Sequence, residues 1–434
     1  MVEVAFYGDD FTGSTDALAQ FARLGFRAGL VVRLPSASEL RDLVARYDVL
    51  GVAGIARSLP PDDQEAELRP ILAALGALGP RFVQYKVCST ADSSATHGSI
   101  GRALEVGRDV FGPGIVPILI AQPELGRYTA FSHHFAAEDG TVHRLDRQPT
   151  MSTHPTTPMH ESDLRRHLAD QTSLHITGLH VPAYSDLPQA YVDLTGDAVV
   201  LDALTDEHLQ ALGNTLLSHQ QSAGVPTFTI GSGGLSRALA HALEPPSPTA
   251  SRPDTPSTNG QVLAVSGSQS PRTRQQIARA REAGWSVLGL DGKAGEGGVV
   301  GYEAAAGLAV EACRAGVDGV VVHTNELRPE QLAEAPGGLA QVVRRVVAET
   351  DVRRVVVAGG DTSGQVLREL GVIALELADH AGPAAHSSGA EQPVAAGVHR
   401  CRVVAGDPAL HGIEVLLKPG QLGAADLFTR YRRR

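Results

Sequence analysis

The chain has 434 residues, 43% hydrophobic and 20% charged, with a formal net charge of −11. That length exceeds one ordinary core, so two domains are expected, and the acidic balance disfavours nucleic acid or an anionic membrane as partner. No apolar run is long enough to span a bilayer, and no basic segment leads into an apolar stretch at the start. Cys88, Cys313 and Cys401 are too scattered for a disulfide framework or a zinc site, so a reducing cytoplasm is expected.

The first predicted strand, Val2–Tyr7, runs into Gly8-Asp9-Asp10-Phe11-Thr12-Gly13-Ser14 and then a helical pattern carried by Ala17, Leu18, Phe21, Ala22 and Leu24. Ligands of open α/β sheets bind outside the carboxyl ends of strands, where this turn places Asp9 and Asp10. Paired carboxylates suit a general base, a divalent cation or a polyol; the bland alternative is a helix cap. Further strands are expected at Ala28–Arg33, Val49–Gly54, Phe82–Val87, Ile115–Ala121, His175–Leu179, Ala198–Asp202 and Pro226–Ile230. Helices are expected between most of them, such as Asp62–Leu78 and Asp206–Ala223.

The strand ending at Val87 carries Lys86 and is followed by Cys88, Ser89, Thr90, Ala91, Asp92 and Ser93. An ammonium beside hydroxyls and a carboxylate suits a small carboxylated polyol, and places Lys86, Ser89, Thr90, Asp92 and Thr12 among the substrate-binding candidates. Only three of the 37 basic residues are lysines: Lys86, Lys293 and Lys418. In so arginine-rich a chain a lysine is expected to survive where a compact charge is needed. Residues 122–163 show little periodicity and read as a long loop whose Arg127 and Arg147 can close over an anion. Its histidines show no ligand spacing, and no metal site is expected.

Residues 244–260 hold five prolines among small polar residues and read as a linker, with 1–243 before it and 261–434 after it. Beyond it, strands are expected at Val262–Val265, Ser286–Leu290, Gly319–His323 and Arg354–Ala358, and helices at Pro271–Ala283, Tyr302–Ala315 and Gln331–Glu349. The fold class is therefore α/β, two domains, each a largely parallel sheet covered by helices. Two of the turns, Ser266-Gly267-Ser268 and Gly359-Gly360-Asp361-Thr362, join a strand to a helix with small residues, a design that holds phosphate on free backbone N–H groups. A third Gly turn follows Lys418, at Gly420. Residues 379–396 read as an insertion. No Walker motif, full GxGxxG or GxSxG is present.

Taken in order, the segments Gly8–Gly13, Lys86–Thr90, Val265–Ser268, Gly359–Gly364 and Lys418–Gly420 resemble those of the four-carbon acid sugar kinases, and Lys86-Val87-Cys88-Ser89-Thr90 is most similar to the 3-oxo-tetronate kinase branch. Two positions depart from that pattern: Ala91, where the branch usually has an aromatic residue, and Pro419, before Gly420. The resemblance implies a sugar-acid-binding first domain, an ATP-binding second domain and a 4-phosphate product. It implies ATP contacts at Ser266, Gly267 and Ser268, at Gly359, Gly360, Asp361 and Thr362, and at Gly420, with Mg²⁺ delivered as Mg-ATP. Asp9 and Asp10 are the expected catalytic residues. The expected partner is a small anionic sugar acid, with a homodimer allowed and no nucleic acid or membrane. Threonate and erythronate kinases of the same family stay open as alternatives. So do an NAD-dependent sugar-acid dehydrogenase and a non-catalytic binding protein.

Overall fold

In the computed structural model, residues 2–245, 260–290, 301–325, 327–328, 331–378, 398–420 and 422–432 are described. Most of the expected linker, Lys293, the 379–396 stretch and the side chain of Asp361 lie outside them.

The chain divides into two compact units, one of Met1–Gly29 and Leu34–Pro248, the other of Leu30–Arg33 and Thr249–Arg434. In chain order the strands of the first half are β1 (Val4–Gly8), β2 (Ala28–Val31), β3 (Val49–Ala53), β4 (Phe82–Lys86), β5 (Val116–Leu119), β6 (Arg127–Ala130), β7 (His133–Glu138), β8 (Thr141–Arg144), β9 (Ile176–Leu179), β10 (Ala198–Leu201) and β11 (Thr227–Gly231). Those of the second half are β12 (Val262–Ser266), β13 (Ser286–Gly289), β14 (Gly319–His323), β15 (Arg354–Ala358), β16 (Val372–Leu377), β17 (Arg400–Ala405) and β18 (Glu414–Lys418).

The first unit is built on parallel strands in the order β3-β1-β4-β11-β5-β10-β9. Strands β1, β3, β4 and β10 are buried along their whole length, as strands covered by helices on both faces must be. Large rings pack over glycines: a Cβ on Gly51 would lie 2.0 Å from the Phe6 ring, and one on Gly107 2.0 Å from Phe228. Tyr7 stacks on Tyr85 at 6.0 Å between ring centroids.

Residues 122–163, expected as a loop, instead contain the antiparallel sheet β6-β7-β8. Its strands are short and carry His, Arg and Thr, so hydrophobic alternation is weak, and cross-strand hydrogen bonds decide the structure. A tight turn joins β6 to β7 through Phe131 and Ser132, both at positive φ (52° and 64°). The buried Asp202 carboxylate holds that turn by accepting both backbone N–H groups, at 2.6 and 2.9 Å.

In the second unit β13-β14-β12-β15-β18 run parallel, and β17 and β16 add antiparallel beyond β18. Leu30 and Val31 of β2 pair antiparallel with Leu375 and Ala374 of β16, and Arg368 Nε donates to the Val32 carbonyl at 2.9 Å. Leu30–Arg33 thus lies in the N-terminal half of the sequence but clusters with the second unit. The sequence signal for β16 and β17 is faint because they lack the parallel β–α alternation. Trp285, the only tryptophan, packs over Gly319, where a Cβ would meet the indole at 2.5 Å.

Two helix glycines give opposite expectations. A Cβ on Gly213, in the helix Asp206–Ala223, would lie 2.1 Å from the backbone carbonyl of Ala238 in the helix Gly233–Ala242. Gly213→Ala is therefore expected to force the two helices apart and destabilise by ~1–3 kcal/mol. Gly337, in the helix Ala335–Glu349, has open space around its missing Cβ, and Gly337→Ala is expected to stabilise by ~0.5–1 kcal/mol. Urea unfolding of the two variants checks both signs.

Candidate active site

In the first unit, β1 sits between β3 and β4 with Gly8 in register with both Ala53 and Lys86. The turns after these three strands therefore begin at one level. The chain runs from β1 to β3 on one side and then to β4 on the other, so the strand order reverses at β1. Such a reversal opens the crevice where ligands of α/β sheets bind.

Asp9 enters this crevice with its side chain 1% exposed, its backbone N–H donating to the Lys86 carbonyl at 2.9 Å. Arg57, on the short turn after β3, grips the Asp9 carboxylate with both faces of its fork, Nε to Oδ2 at 3.1 Å and Nη2 to Oδ1 at 2.6 Å. The same Nη2 lies 2.9 Å from Asp10 Oδ1. Burial pushes the Asp9 carboxyl up to about 6; Arg57 opposes that shift and Asp10 adds to it.

Asp10 caps the helix Phe11–Arg23, Oδ1 accepting from Gly13 N–H at 2.9 Å, so the capping reading of the sequence is met by this residue. It does more than cap. Its side chain stays 30% exposed, and among the described residues its Oδ2 has no partner. Gly13 is the hub of this arrangement. A Cβ there would lie 2.4 Å from Asp10 Oδ1 and 3.3 Å from Lys86 Nζ, so one glycine separates the carboxylate from the ammonium.

Lys86 ends β4 with its side chain 2% exposed. Its Nζ donates to the Val87 carbonyl at 3.0 Å and stands 3.6 Å from Asp16 Oδ2. Asp16, one helical turn beyond Gly13, receives the amides of Gln20 and Gln122 at 3.2–3.3 Å. Gly233 leaves the room: a Cβ there would sit 2.2 Å from Asp16 Oδ2.

The remaining expected substrate residues divide. The Thr12 hydroxyl bonds nothing among the described residues. The Ser89 carbonyl accepts from the buried His134 Nε2 at 2.8 Å, which ties the turn after β4 to strand β7. Burial drives His134 down to about 4, so it is neutral there. Asp92 is engaged by Thr90 at 2.7 Å, and Thr90 also contacts Cys88 at 2.9 Å. Burial pushes the Cys88 thiol up to about 11, the reverse of an activated nucleophile.

Arg127 spends its guanidinium on the Leu125 and Ala137 carbonyls, both at 2.9 Å, where it braces the small sheet. Arg147 is exposed. The guanidinium at the carboxylate pair is Arg57, which the sequence reading missed, along with Asp16 and Gln122. Arg57 stands four residues past β3, and only knowing that β3 neighbours β1 would have singled it out.

In the second unit, β12, β15 and β18 are adjacent, and Ser266, Ala358 and Lys418 lie in one register. Here too the strand order reverses, at β12, which lies between β14 and β15. All three expected turns start from these strand ends. Gly267 N–H donates to the Ala358 carbonyl at 3.1 Å and Gly359 N–H to the Lys418 carbonyl at 2.9 Å. Gly359 has φ +125°. A Cβ there would meet Thr362 Oγ1 at 2.8 Å, one on Gly267 would meet the same atom at 2.5 Å, and one on Gly420 would meet Ser268 Oγ at 2.9 Å. Each turn can approach the next only because these residues are glycines.

Two helices begin here, Pro271–Glu282 capped by Ser270, and Gly360–Glu369 with no side-chain cap. Free N–H groups at such helix starts bind phosphate oxygens. Among the described residues no group of three or more His, Cys, Asp or Glu is placed to hold a metal ion. No described helix is long and apolar enough to cross a membrane.

The chain thus has two α/β units, one with a carboxylate and a lysine beside one glycine and one with glycine turns at the ends of three adjacent strands. Residues 4–239 match the family model of a sugar-binding N-terminal domain and residues 263–428 that of a nucleotide-binding C-terminal domain. The chain is 36% identical to the 3-oxo-isoapionate kinase of Paraburkholderia graminis, over 99% of this chain and 94% of that protein. It is 31% identical to the 3-oxo-tetronate kinase of Methylobacterium radiotolerans, over 97% and 96% respectively. It shares its fold with a Salmonella typhimurium LT2 protein at a TM-score of 0.75 and 22% identity, over 100% of this chain and 99% of that one. The chain belongs to the four-carbon acid sugar kinase family.

The buried ion pair yields a titration test. Arg57 lowers the Asp9 carboxyl towards its ordinary value, so Arg57→Gln is expected to move its midpoint above about 6. Because the folded value is raised, Asp9 favours folding at low pH, and that contribution is lost as pH rises from about 4 through about 6. Carboxyl ¹³C NMR of wild type and Arg57→Gln reads the midpoint directly. A lower midpoint in the variant would mean that Arg57 does not act on Asp9 in solution.

Proposed function

We propose that this protein transfers the terminal phosphoryl group of ATP to the 4-hydroxyl of a 3-oxo acid sugar, with a 3-oxo-tetronate as the substrate and Mg²⁺ arriving on the nucleotide. The observation that carries the reading is the single glycine, Gly13, flanked by the Asp10 carboxylate and the Lys86 ammonium. A sugar acid offers one carboxylate for the ammonium and one hydroxyl for the free Asp10 oxygen.

Asp10 is the base in this reading, since its Oδ2 is open to substrate while both oxygens of Asp9 are taken by Arg57. Asp9 and Arg57 hold Asp10 in place. The glycine turns of the second unit, at Ser266–Ser268, Gly359–Thr362 and Gly420, hold the triphosphate, with the uncapped start of the helix Gly360–Glu369 offering its N–H groups. Phosphoryl transfer asks little more of a protein than alignment and charge stabilisation. Mg²⁺ is bound mainly by nucleotide phosphates and water.

The experiment is a panel of ATP-turnover assays on 3-oxo-tetronates, 3-oxo-isoapionate, threonate and erythronate. Turnover of the 3-oxo acids above the others supports the reading, and preference for threonate or erythronate moves the protein to another branch. Reduction of NAD by any of these acids without ATP consumption would replace the kinase by a dehydrogenase. With the preferred acid, Asp10→Asn is expected to lower kcat by ~10²–10⁴-fold with little change in KM for ATP. Activity within a few-fold of wild type would leave Asp10 as a cap alone.

Lys86→Arg separates charge from shape. The ammonium is buried beside Gly13, and a planar fork there displaces the bound acid. A misplacement of about 1 Å can cost ~10²-fold in rate, and at least that loss in kcat/KM for the acid is expected. KM for ATP should stay near wild type. An equal rise in both KM values would point to general misfolding.

A further inference from the structure

Lys418 is a buried cation beneath the glycine turns of the second unit. It ends β18, and its side chain is fully buried, at 0% exposure. Its Nζ donates to Thr273 Oγ1 at 2.6 Å and to the Gly420 carbonyl at 2.8 Å. Its own carbonyl accepts the Gly359 N–H at 2.9 Å. Thr273 Oγ1 in turn lies 3.0 Å from both Ser268 Oγ and the Gly420 carbonyl, and Ser270 Oγ donates to that same carbonyl. One residue therefore touches all three glycine turns: through its main chain the turn after β15, through its ammonium the turn after β18, and through Thr273 the turn after β12.

Among the described residues no carboxylate pairs with Lys418. The groups that face the ammonium there are the hydroxyl of Thr273 and the Gly420 carbonyl, with Ser268 and Ser270 bonded to those two. The charged side chain acting on it is Arg272, from the helix Pro271–Glu282, and Arg272 has the same sign. A buried ammonium without a counter-ion is costly in a folded protein. Two helices start beside it, Pro271–Glu282 and Gly360–Glu369, and the second has no side-chain cap, so its first N–H groups face an anion at this point. A polyphosphate arriving at these turns would supply a counter-charge.

We propose that Lys418 is a positioning residue of the nucleotide site, which locks the three turns together and takes up a proton from solvent when the polyphosphate binds. The proposal rests on the reading that these turns hold the nucleotide. Burial, and after it Arg272, lowers the Lys418 ammonium to about 8, so near that pH a fraction of the molecules carry it as the amine. A bound polyphosphate favours the charged form. The amine Nζ then gains a proton from water or buffer, and no other bond forms or breaks. Mg-bound nucleotide phosphates have already lost their protons at pH 8, so uptake there reports on the protein.

The test is titration calorimetry of the full chain with Mg-ADP, in two buffers of different ionisation enthalpy, at pH 8 and pH 6.5. Wild type is expected to take up a few tenths of a proton per nucleotide, about 0.5 at most, at pH 8 and close to none at pH 6.5. Lys418→Met is expected to lose the uptake and to weaken Kd by about tenfold or more. Lys418→Gln, which keeps a hydrogen-bond donor, should recover part of the affinity and none of the uptake. Nucleotide binding without proton uptake in wild type at pH 8 overturns the role of Lys418 and leaves the nucleotide site standing. The same holds for uptake that persists unchanged in a folded Lys418 variant. Failure of wild type to bind Mg-ADP at all overturns the nucleotide reading itself, and this proposal with it. If neither variant folds, the wild-type comparison between the two pH values decides alone.

Discussion

Parallel strand register is the constraint on which both sites depend. Gly8 pairs with Lys86 and with Ala53, and Ser266 with Ala358, which pairs in turn with Lys418. Strands that end at one level start their turns at one level. Backbone donors from neighbouring turns can then close on each other, as Asp9 does on Lys86 and Gly359 on Lys418. A shift of one residue in either pairing would turn a site residue to the other face of the sheet.

Close approach explains why these turns are rich in glycine. In the first unit Gly13 lets the Asp10 carboxylate and the Lys86 ammonium reach one point, and Gly8 clears Ser14, whose Oγ would lie 1.9 Å from an added Cβ. In the second unit Gly267 and Gly359 both make way for Thr362. Helix starts complete the design, because their first N–H groups have no partner within the helix. Asp10 fills that role in one unit, and in the other the start at Gly360 has no side-chain cap.

The two described lysines follow the same rule. Lys86 and Lys418 are each the last residue of a strand, each fully or almost fully buried, and each bonded to a carbonyl of the turn that follows. A flexible four-carbon stem can place a compact charge under a turn from the strand beneath it, where a guanidinium fork would not fit. Arg57 shows the complementary use. Its planar fork spans Asp9 and reaches Asp10, a geometry no ammonium reproduces.

By itself the sequence determined the alternation of strands and helices, the two-unit α/β class and the strand–turn–helix segments. These depend on local periodicity and on residue types that act within a few positions of one another, as Asp10 and Gly13 do. Hydrophobic runs marked the buried parallel strands. They could not mark β6, β7 and β8, whose polar residues are held by cross-strand bonds, or the pairing of Leu30–Val31 with β16. Tertiary structure alone decided that Arg57 grips Asp9, that Arg127 braces backbone carbonyls, that Asp16 stands beside Lys86, and that Lys418 joins three turns. Those contacts span 48 residues between Asp9 and Arg57 and 145 between Thr273 and Lys418. Strand order brings such partners together, and nothing in the neighbouring sequence of either one records it.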